Sequence, residues 1–379
     1  LAQKKYDTGA TDKEIKIGHI VPYSGPVSAY GTIGKSIQAY FQKVNDEGGI
    51  NGRKVTVISL DDAYNPAKTV EAARKLVEQE EVLLLFAPLG TAHNTAIVKY
   101  MNQKKVPHLF LATGATRWGD YKNFPWTMGW QPTYQTEGKI YAEHILKNKP
   151  NAKIGILYQN DDFGKDNLKG FLDGLGDKAK SMVVSQLTYE VTDATIDSQI
   201  ATLKGSGADV FINITTPKFA AMAIRKVAEI GWKPAHYLSS VSQSVAAVLK
   251  PAGFENAKGV ISSAYLRDPT DPKVQATKEF ADYKAWFQKY YPNGDINDTL
   301  NVIGFSSAQT LHHVLQRAGD NLTRANVMKL ATEIDMTLPM LYPGIKVKTS
   351  PTDFYPVEQM QPIQFNGTAY EPIGGLLGG

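Results

Sequence analysis

Ile15-Lys16-Ile17-Gly18-His19-Ile20-Val21 runs into Pro22-Tyr23-Ser24-Gly25-Pro26, after which Ile33, Ile37, Tyr40, Phe41 and Val44 recur at helical spacing. The first run is short, apolar and rich in β-branched residues, as a buried strand is. The proline- and glycine-bearing cluster ends it, and the stripe that follows is one face of an amphipathic helix closed by Gly48-Gly49. This strand–turn–helix rhythm then repeats, and the repetition decides the fold. A strand is predicted over 55–60. Asn65-Pro66 is a cap with proline at the first helical position, ahead of the stripe Val70, Ala73, Leu76 and Val77. Strands over 82–86 and 108–111 follow, with a helix starting at Gly90-Thr91.

The rhythm restarts after Pro150, with strands over 153–158, 182–187, 209–213 and 236–238 separated by helical patterns. Strands alternating with helices make parallel, doubly wound sheets, so two successive series predict an α/β protein of two lobes. From 272 to 335 the pattern is helical, with stripes Phe280, Tyr283, Phe287 and Val327, Leu330, Ala331, Ile334. The tail reads as turns and short strands over 344–347 and 356–363, with a loose end over 374–379.

Composition agrees. At roughly 150 residues per domain, 379 residues make two or three domains. Hydrophobic residues are 42% and charged residues 21%, ordinary for a globular chain. No cysteine is present, which excludes disulfide scaffolds, thiolate metal sites and cysteine nucleophiles. A formal charge of +4 spread over the chain gives no reason to expect nucleic acid. No window of 18 or more apolar residues exists, so nothing spans a membrane as a helix. The opening Leu1-Ala2-Gln3-Lys4-Lys5 and the polar run to Glu14 read as an exported chain cut at a small-residue signal site, with a short solvated leader; a piece of a cytosolic protein is the other reading.

Catalytic patterns are missing. His312-His313 are adjacent, hence about 100° apart on a helix, and share no ligand face. No G-x-S-x-G elbow occurs. Gly31-Thr32-Ile33-Gly34-Lys35-Ser36 ends like a phosphate-binding loop. The motif's first glycine, however, would fall on Ala29, and the segment lies well beyond the end of the strand, so an ordinary helix start is the better reading.

Several segments resemble, in order and spacing, the leucine/isoleucine/valine-type periplasmic binding proteins of ABC transporters. They are Ser24-Gly25-Pro26-Val27-Ser28-Ala29-Tyr30-Gly31, Asn45-Asp46-Glu47-Gly48-Gly49-Ile50-Asn51-Gly52, Asp61-Asp62-Ala63-Tyr64-Asn65-Pro66, Ala87-Pro88-Leu89-Gly90-Thr91-Ala92, Ala112-Thr113-Gly114-Ala115-Thr116 and Tyr158-Gln159-Asn160-Asp161-Asp162-Phe163-Gly164. The likeness runs from about Glu14 to about Pro372. It implies the type I periplasmic binding fold: two α/β lobes joined by three hinge crossovers, near Trp130, Ser262 and Pro339, with the ligand trapped between them. The expected lobes are 1–130 plus 263–339, and 131–262 plus 340–379.

The resemblance places ligand-binding residues at Tyr30, Gly90, Thr91, Ala92, Gly114, Ala115 and Thr116 in the first lobe. A helix beginning at Thr91 offers free N–H groups and a positive dipole end, which suit a carboxylate. The competing reading makes these threonines ordinary helix caps. In the second lobe the matching residues are Phe163, Asn213, Thr215, Ser240 and Val241. Amino-acid binders need an acid there for the ligand's ammonium group, because a buried unpaired charge is costly. Val241 stands at that position, and 237–249 contains no acidic residue.

The first expectation is therefore a carboxylate without an α-amino group, an aromatic acid of benzoate or phenylpropanoid type, with Phe163 and Tyr30 stacking on its ring. Ser239, Ser240 or Asn213 would meet a ring hydroxyl. The alternative is a branched-chain or other aliphatic amino acid, with Asp161, Asp162 or Glu190 supplying the acid. The resemblance further implies capture by hinge closure without catalysis, no cofactor or metal, a monomer, and a membrane permease as partner. A sensory module of the same fold and an enzyme are the competing classes.

Overall fold

The computed structural model describes residues 3–378. Leu1 and Ala2 of the expected leader and Gly379 of the expected loose tail lie outside them. The chain forms two compact units. The first comprises Leu1–Gln131, Lys273–Ile296 and Leu300–Val357; the second comprises Pro132–Pro272, Asn297–Thr299 and Glu358–Gly379.

The first unit is built on β1 (Glu14–Val21), α1 (Gly31–Asp46), β2 (Lys54–Asp61), α2 (Pro66–Arg74), β3 (Leu84–Phe86), α3 (Thr91–Lys104), β4 (His108–Leu111) and β5 (Thr127–Gly129). The stripe expected on α1 is buried, and Gly49 N–H closes the helix onto Val44 O at 2.8 Å. Asn65 caps α2 by accepting from Ala67 N at 2.9 Å. The strands form one parallel sheet in the order β2-β1-β3-β4-β5. On one face Ile20 and Leu85 pack with Ala73 and Leu76, and with Ile97 and Met101 of α3. The order reverses between β1 and β3. Ligands of doubly wound sheets bind beyond the carboxyl ends of the strands at such a switch point.

The second unit repeats the plan with α4 (Tyr134–Asn148), β6 (Ile154–Gln159), α5 (Asp162–Leu175), β7 (Val183–Tyr189), α6 (Asp197–Gly205), β8 (Val210–Ile214), α7 (Pro217–Glu229), β9 (Ala235–Leu238) and β10 (Ile261–Ala264). The chain then adds α8 (Lys278–Tyr290), α9 (Thr299–Ala318) and α10 (Arg324–Ala331) to the first unit, largely as the helical pattern over 272–335 predicts. There Trp286 lies 4.8 Å, ring to ring, from Phe305. The strands β11 (Asp335–Met336) and β12 (Val347–Lys348) pair antiparallel in the same unit. Two last strands, β13 (Gln361–Phe365) and β14 (Tyr370–Pro372), complete the second sheet in the order β14-β13-β10-β9-β8-β6-β7. Its switch point falls between β6 and β8.

Three expectations need correction. Ser262 is inside β10, paired with Ile363, and the chain leaves the second unit at Pro272. Pro339 is inside the first unit, because the β11–β12 ladder keeps the chain there until Val357. The leader is solvated over Gln3–Lys5, and it is also tied to the fold: Lys5–Tyr6 pairs with Asn321–Leu322, and Arg53 Nη2 donates to Tyr6 Oη at 2.7 Å. The tail is not loose, since Met360 and Leu377 exchange two backbone bonds of 2.8 Å each.

Candidate functional site

In the first unit the carboxyl ends of β3 and β4 carry the candidate residues. Both strands kink there: Ala87 has φ +52° and Phe110 φ +57°, a left-handed conformation costly for residues with a side chain. Beyond the kinks the segments stay paired. Ala87 N donates to Leu109 O at 2.9 Å, Ala112 N to Pro88 O at 3.0 Å, and Gly90 N to Ala112 O at 3.3 Å. This short second ladder sets Gly90-Thr91 beside Ala112-Thr113.

A polar chain beneath holds the Pro88–Gly90 loop. Asn94 Nδ2 donates to Pro88 O and to Gly90 O, each at 2.8 Å, while Asn94 Oδ1 accepts from His108 Nε2 at 2.7 Å. His108 Nδ1 then accepts from Thr127 Oγ1 at 3.0 Å. With one ring nitrogen donating and the other accepting, His108 is neutral, and burial lowers its pKa to about 3. Nothing in the sequence pattern marked Asn94 or His108 as supports of this loop.

Gly90 precedes α3 at φ +109°, and a Cβ there would fall 2.0 Å from His93 Nδ1, so only glycine fits. No side chain caps α3 and its first turn holds no acid, which leaves the helix N–H groups for an anion. Thr91 is not a cap: its hydroxyl lies 2.7 Å from that of Thr113. Thr113 Oγ1 also accepts from Ala115 N at 3.2 Å and Trp118 Nε1 at 3.3 Å. A hydroxyl has two acceptor positions and one hydrogen, so Thr113 donates to Thr91 and leaves the Thr91 O–H as a donor. Gly114 and Ala115 are buried, while Ala92 and Thr116 are partly exposed. Tyr30 ends the turn Ser28–Tyr30 at the other side of the switch and is buried at 6% exposure. Lys35 and Ser36 belong to α1. Ser36 Oγ donates to Thr32 O at 2.7 Å, and Lys35 lies over the Tyr23 ring, so no phosphate loop exists there.

In the second unit Phe163 opens α5 and meets Tyr134 edge-on at 5.0 Å. The helix packs tightly onto β6, where a Cβ on Gly164 would fall 1.9 Å from Gln159 O. Asn213 and Thr215, at the end of β8, are fully buried and bonded to each other: Thr215 Oγ1 donates to Asn213 Oδ1 at 2.6 Å, and Asn213 Nδ2 donates to His236 Nε2 at 3.1 Å. Their side chains serve the lobe's interior. Ser240 and Val241 follow β9 in a short turn and are partly exposed.

The acids offered as substitutes are occupied or outside. Asp161 caps α5, accepting from Gly164 N at 3.2 Å, Asp162 is exposed, and Glu190 accepts from Asn160 Nδ2 at 2.6 Å. A buried acid of this unit, Glu137, is one that sequence reading missed. Glu137 on α4, 1% exposed, has Oε2 accepting from Ser240 N at 2.8 Å and Oε1 accepting from Asn167 Nδ2 at 2.9 Å, while the single hydrogen of Tyr141 Oη is shared between Glu137 Oε2 at 3.1 Å and Leu238 O at 2.9 Å. Burial raises its pKa above the ordinary carboxylate value, against the hydrogen bonds from Ser240, Asn167 and Tyr141. Its signal lay in α4's own register, since Glu137 shares a helix face with Tyr134 and Tyr141.

Among the described residues no group of histidines and acids is arranged to hold a metal, and no helix is long and apolar enough to cross a membrane. The chain and its fold are similar to known proteins. The chain is similar to Leu/Ile/Val-binding protein homolog 7 of Brucella suis, 24% identical over 70% of this chain and 67% of that protein. Its fold is similar to that of a branched-chain amino acid ABC transporter protein from Thermus thermophilus with bound valine (TM-score 0.85, 15% identity, 96% of each chain). It is also similar to that of a fatty acid ABC transporter substrate-binding protein from Thermomonospora curvata (TM-score 0.79, 21% identity, 99% of this chain and 95% of that one). The family described as periplasmic binding protein matches residues 14–369, and with its two type I lobes the chain belongs to that family.

Proposed function

We propose that the protein is the extracytoplasmic binding component of an ABC importer, and that it captures a branched-chain or other aliphatic amino acid without changing it chemically. The observation that carries this reading is the Gly90–Thr91 clamp. It combines an uncapped helix N-terminus, a free hydroxyl donor and a glycine no other residue can replace, all at the switch point of the sheet. That set suits a carboxylate. The names of the relatives favour an amino acid over the aromatic acid that the sequence suggested first. The reading includes no catalysis, a permease as partner, export, and hinges at the crossings after Gln131, Pro272 and Val357.

A second reading keeps the aromatic acid. It is favoured by the absence of any acid over 237–249 and by the edge-on pair of Phe163 and Tyr134. Calorimetry on ligand-stripped protein with leucine, isoleucine, valine and 4-hydroxybenzoate separates the two. Binding of leucine or its isomers is expected. Binding of 4-hydroxybenzoate with no response to any amino acid overturns the first reading in favour of the second.

A further inference from the structure

We propose that Glu137, reaching the Ser240 turn from α4, supplies the negative charge by which the second lobe selects a ligand with an ammonium group. The inference rests on the amino-acid reading above. It answers the feature that most opposes that reading, the missing acid over 237–249.

Three observations carry it. Glu137 Oε2 accepts the N–H of Ser240 at 2.8 Å, so the carboxylate lies directly under the turn that the family resemblance places at the ligand. Its donors, from the backbone and side chain of Ser240, Asn167 and Tyr141, are all uncharged, and among the described residues no lysine or arginine pairs with it. A buried carboxylate lacking a countercharge is costly, and a cation arriving at the turn relieves that cost. Lastly, the neighbourhood has acceptors to spare. Asn167 Oδ1 and Ser239 Oγ are buried with no hydrogen-bond partner, and an ammonium group or its attendant water brings the donors they lack. The other titratable groups whose charge couples to Glu137 are tyrosines, Tyr141 on the same helix and Tyr265 after β10, with Tyr134 coupled in turn to Tyr265. None of them is charged near neutral pH.

Glu137 acts through the turn, so it is a positioning and charge-setting residue. The test compares leucine with 4-methylpentanoate, its counterpart lacking the amino group, on the wild type and on Glu137→Gln, which keeps an acceptor for Ser240 N–H. Wild type is expected to prefer leucine. In Glu137→Gln leucine affinity should fall about tenfold or more while that for 4-methylpentanoate holds, since an opposite charge within a few ångströms has an effect of that order. A purely structural role would weaken both ligands alike, and that result overturns the inference, as does unchanged leucine affinity. Leucine binding by wild type in either case leaves the amino-acid reading standing. A wild type that binds 4-hydroxybenzoate and no amino acid overturns both. Should Glu137→Gln fail to fold, the wild type decides: burial raises the Glu137 pKa, so the preference for leucine should shrink on acidification, and a preference that stays constant down to the lowest pH at which the protein remains folded overturns the inference.

Discussion

Replacing Thr91 by valine tests the first half-site with little change of volume. The Thr91 hydroxyl accepts one hydrogen from Thr113 and keeps its own for a ligand, because Thr113 Oγ1 is already taken by Ala115 N and Trp118 Nε1. A hydrogen bond to a charged carboxylate contributes about 1.5–3 kcal/mol. Thr91→Val should therefore raise Kd by about tenfold to about 150-fold. The fold pays separately: the buried Thr113 hydroxyl loses its acceptor, which costs about 1–3 kcal/mol. Thr91→Ser keeps both bonds and should retain nearly all the affinity. Thr113→Val strips acceptors from two N–H groups and should lower the melting temperature more than Thr91→Val does. Calorimetry with the ligand identified above, alongside thermal melts of all four proteins, gives both quantities. A folded Thr91→Val protein that binds as tightly as wild type would falsify the hydroxyl inventory and remove Thr91 from the site.

Gly90→Ala should nearly abolish binding and cost about 1–3 kcal/mol of stability, since alanine must adopt φ +109° against the His93 ring; wild-type Kd in this variant would sink the close-approach argument. Asp161→Ala should lose the α5 cap and lower stability by about 1 kcal/mol in denaturant unfolding, and an unchanged midpoint would show that the cap is dispensable. Acid should destabilise the protein early. Burial lowers the pKa of His19 to about 4 and those of His108 and His236 to about 3, while unfolded imidazoles titrate near 6.5. The unfolded chain then binds protons that the folded chain refuses. Stability is full above about pH 6.5 and falls toward pH 4 by about 1.4 kcal/mol per pH unit for each histidine. A melting temperature that stays flat from pH 7 to pH 5 would show that these rings protonate inside the fold.

The lobes were legible because buried parallel strands are short apolar runs and their helices are striped. Neither feature depends on distant partners, so β1, α1, β2 and the α2 cap stand within a residue or two of where the pattern puts them. Positions where the chain merely passes from one unit to another carry no such pattern. Ser262 and Pro339 thus fell inside their units, and two-residue ladders such as Lys5–Tyr6 with Asn321–Leu322 were invisible, their partners being over 300 residues apart.

The same division runs through the candidate site. Sequence alone determined that Gly90 and Thr91 open a helix after a strand, and that the stretch after β9 has no acid. Tertiary structure decided what those residues can do. It kinked β3 and β4 so that Thr91 meets Thr113, held the loop from beneath through Asn94 and His108, committed Asn213 and Thr215 to each other, and brought Glu137 from α4 to the Ser240 turn. A spacing pattern records which face of an element is apolar. It does not record which buried polar group, over 100 residues away, completes a hydrogen bond, and that pairing sets the charge and the free donors of the site.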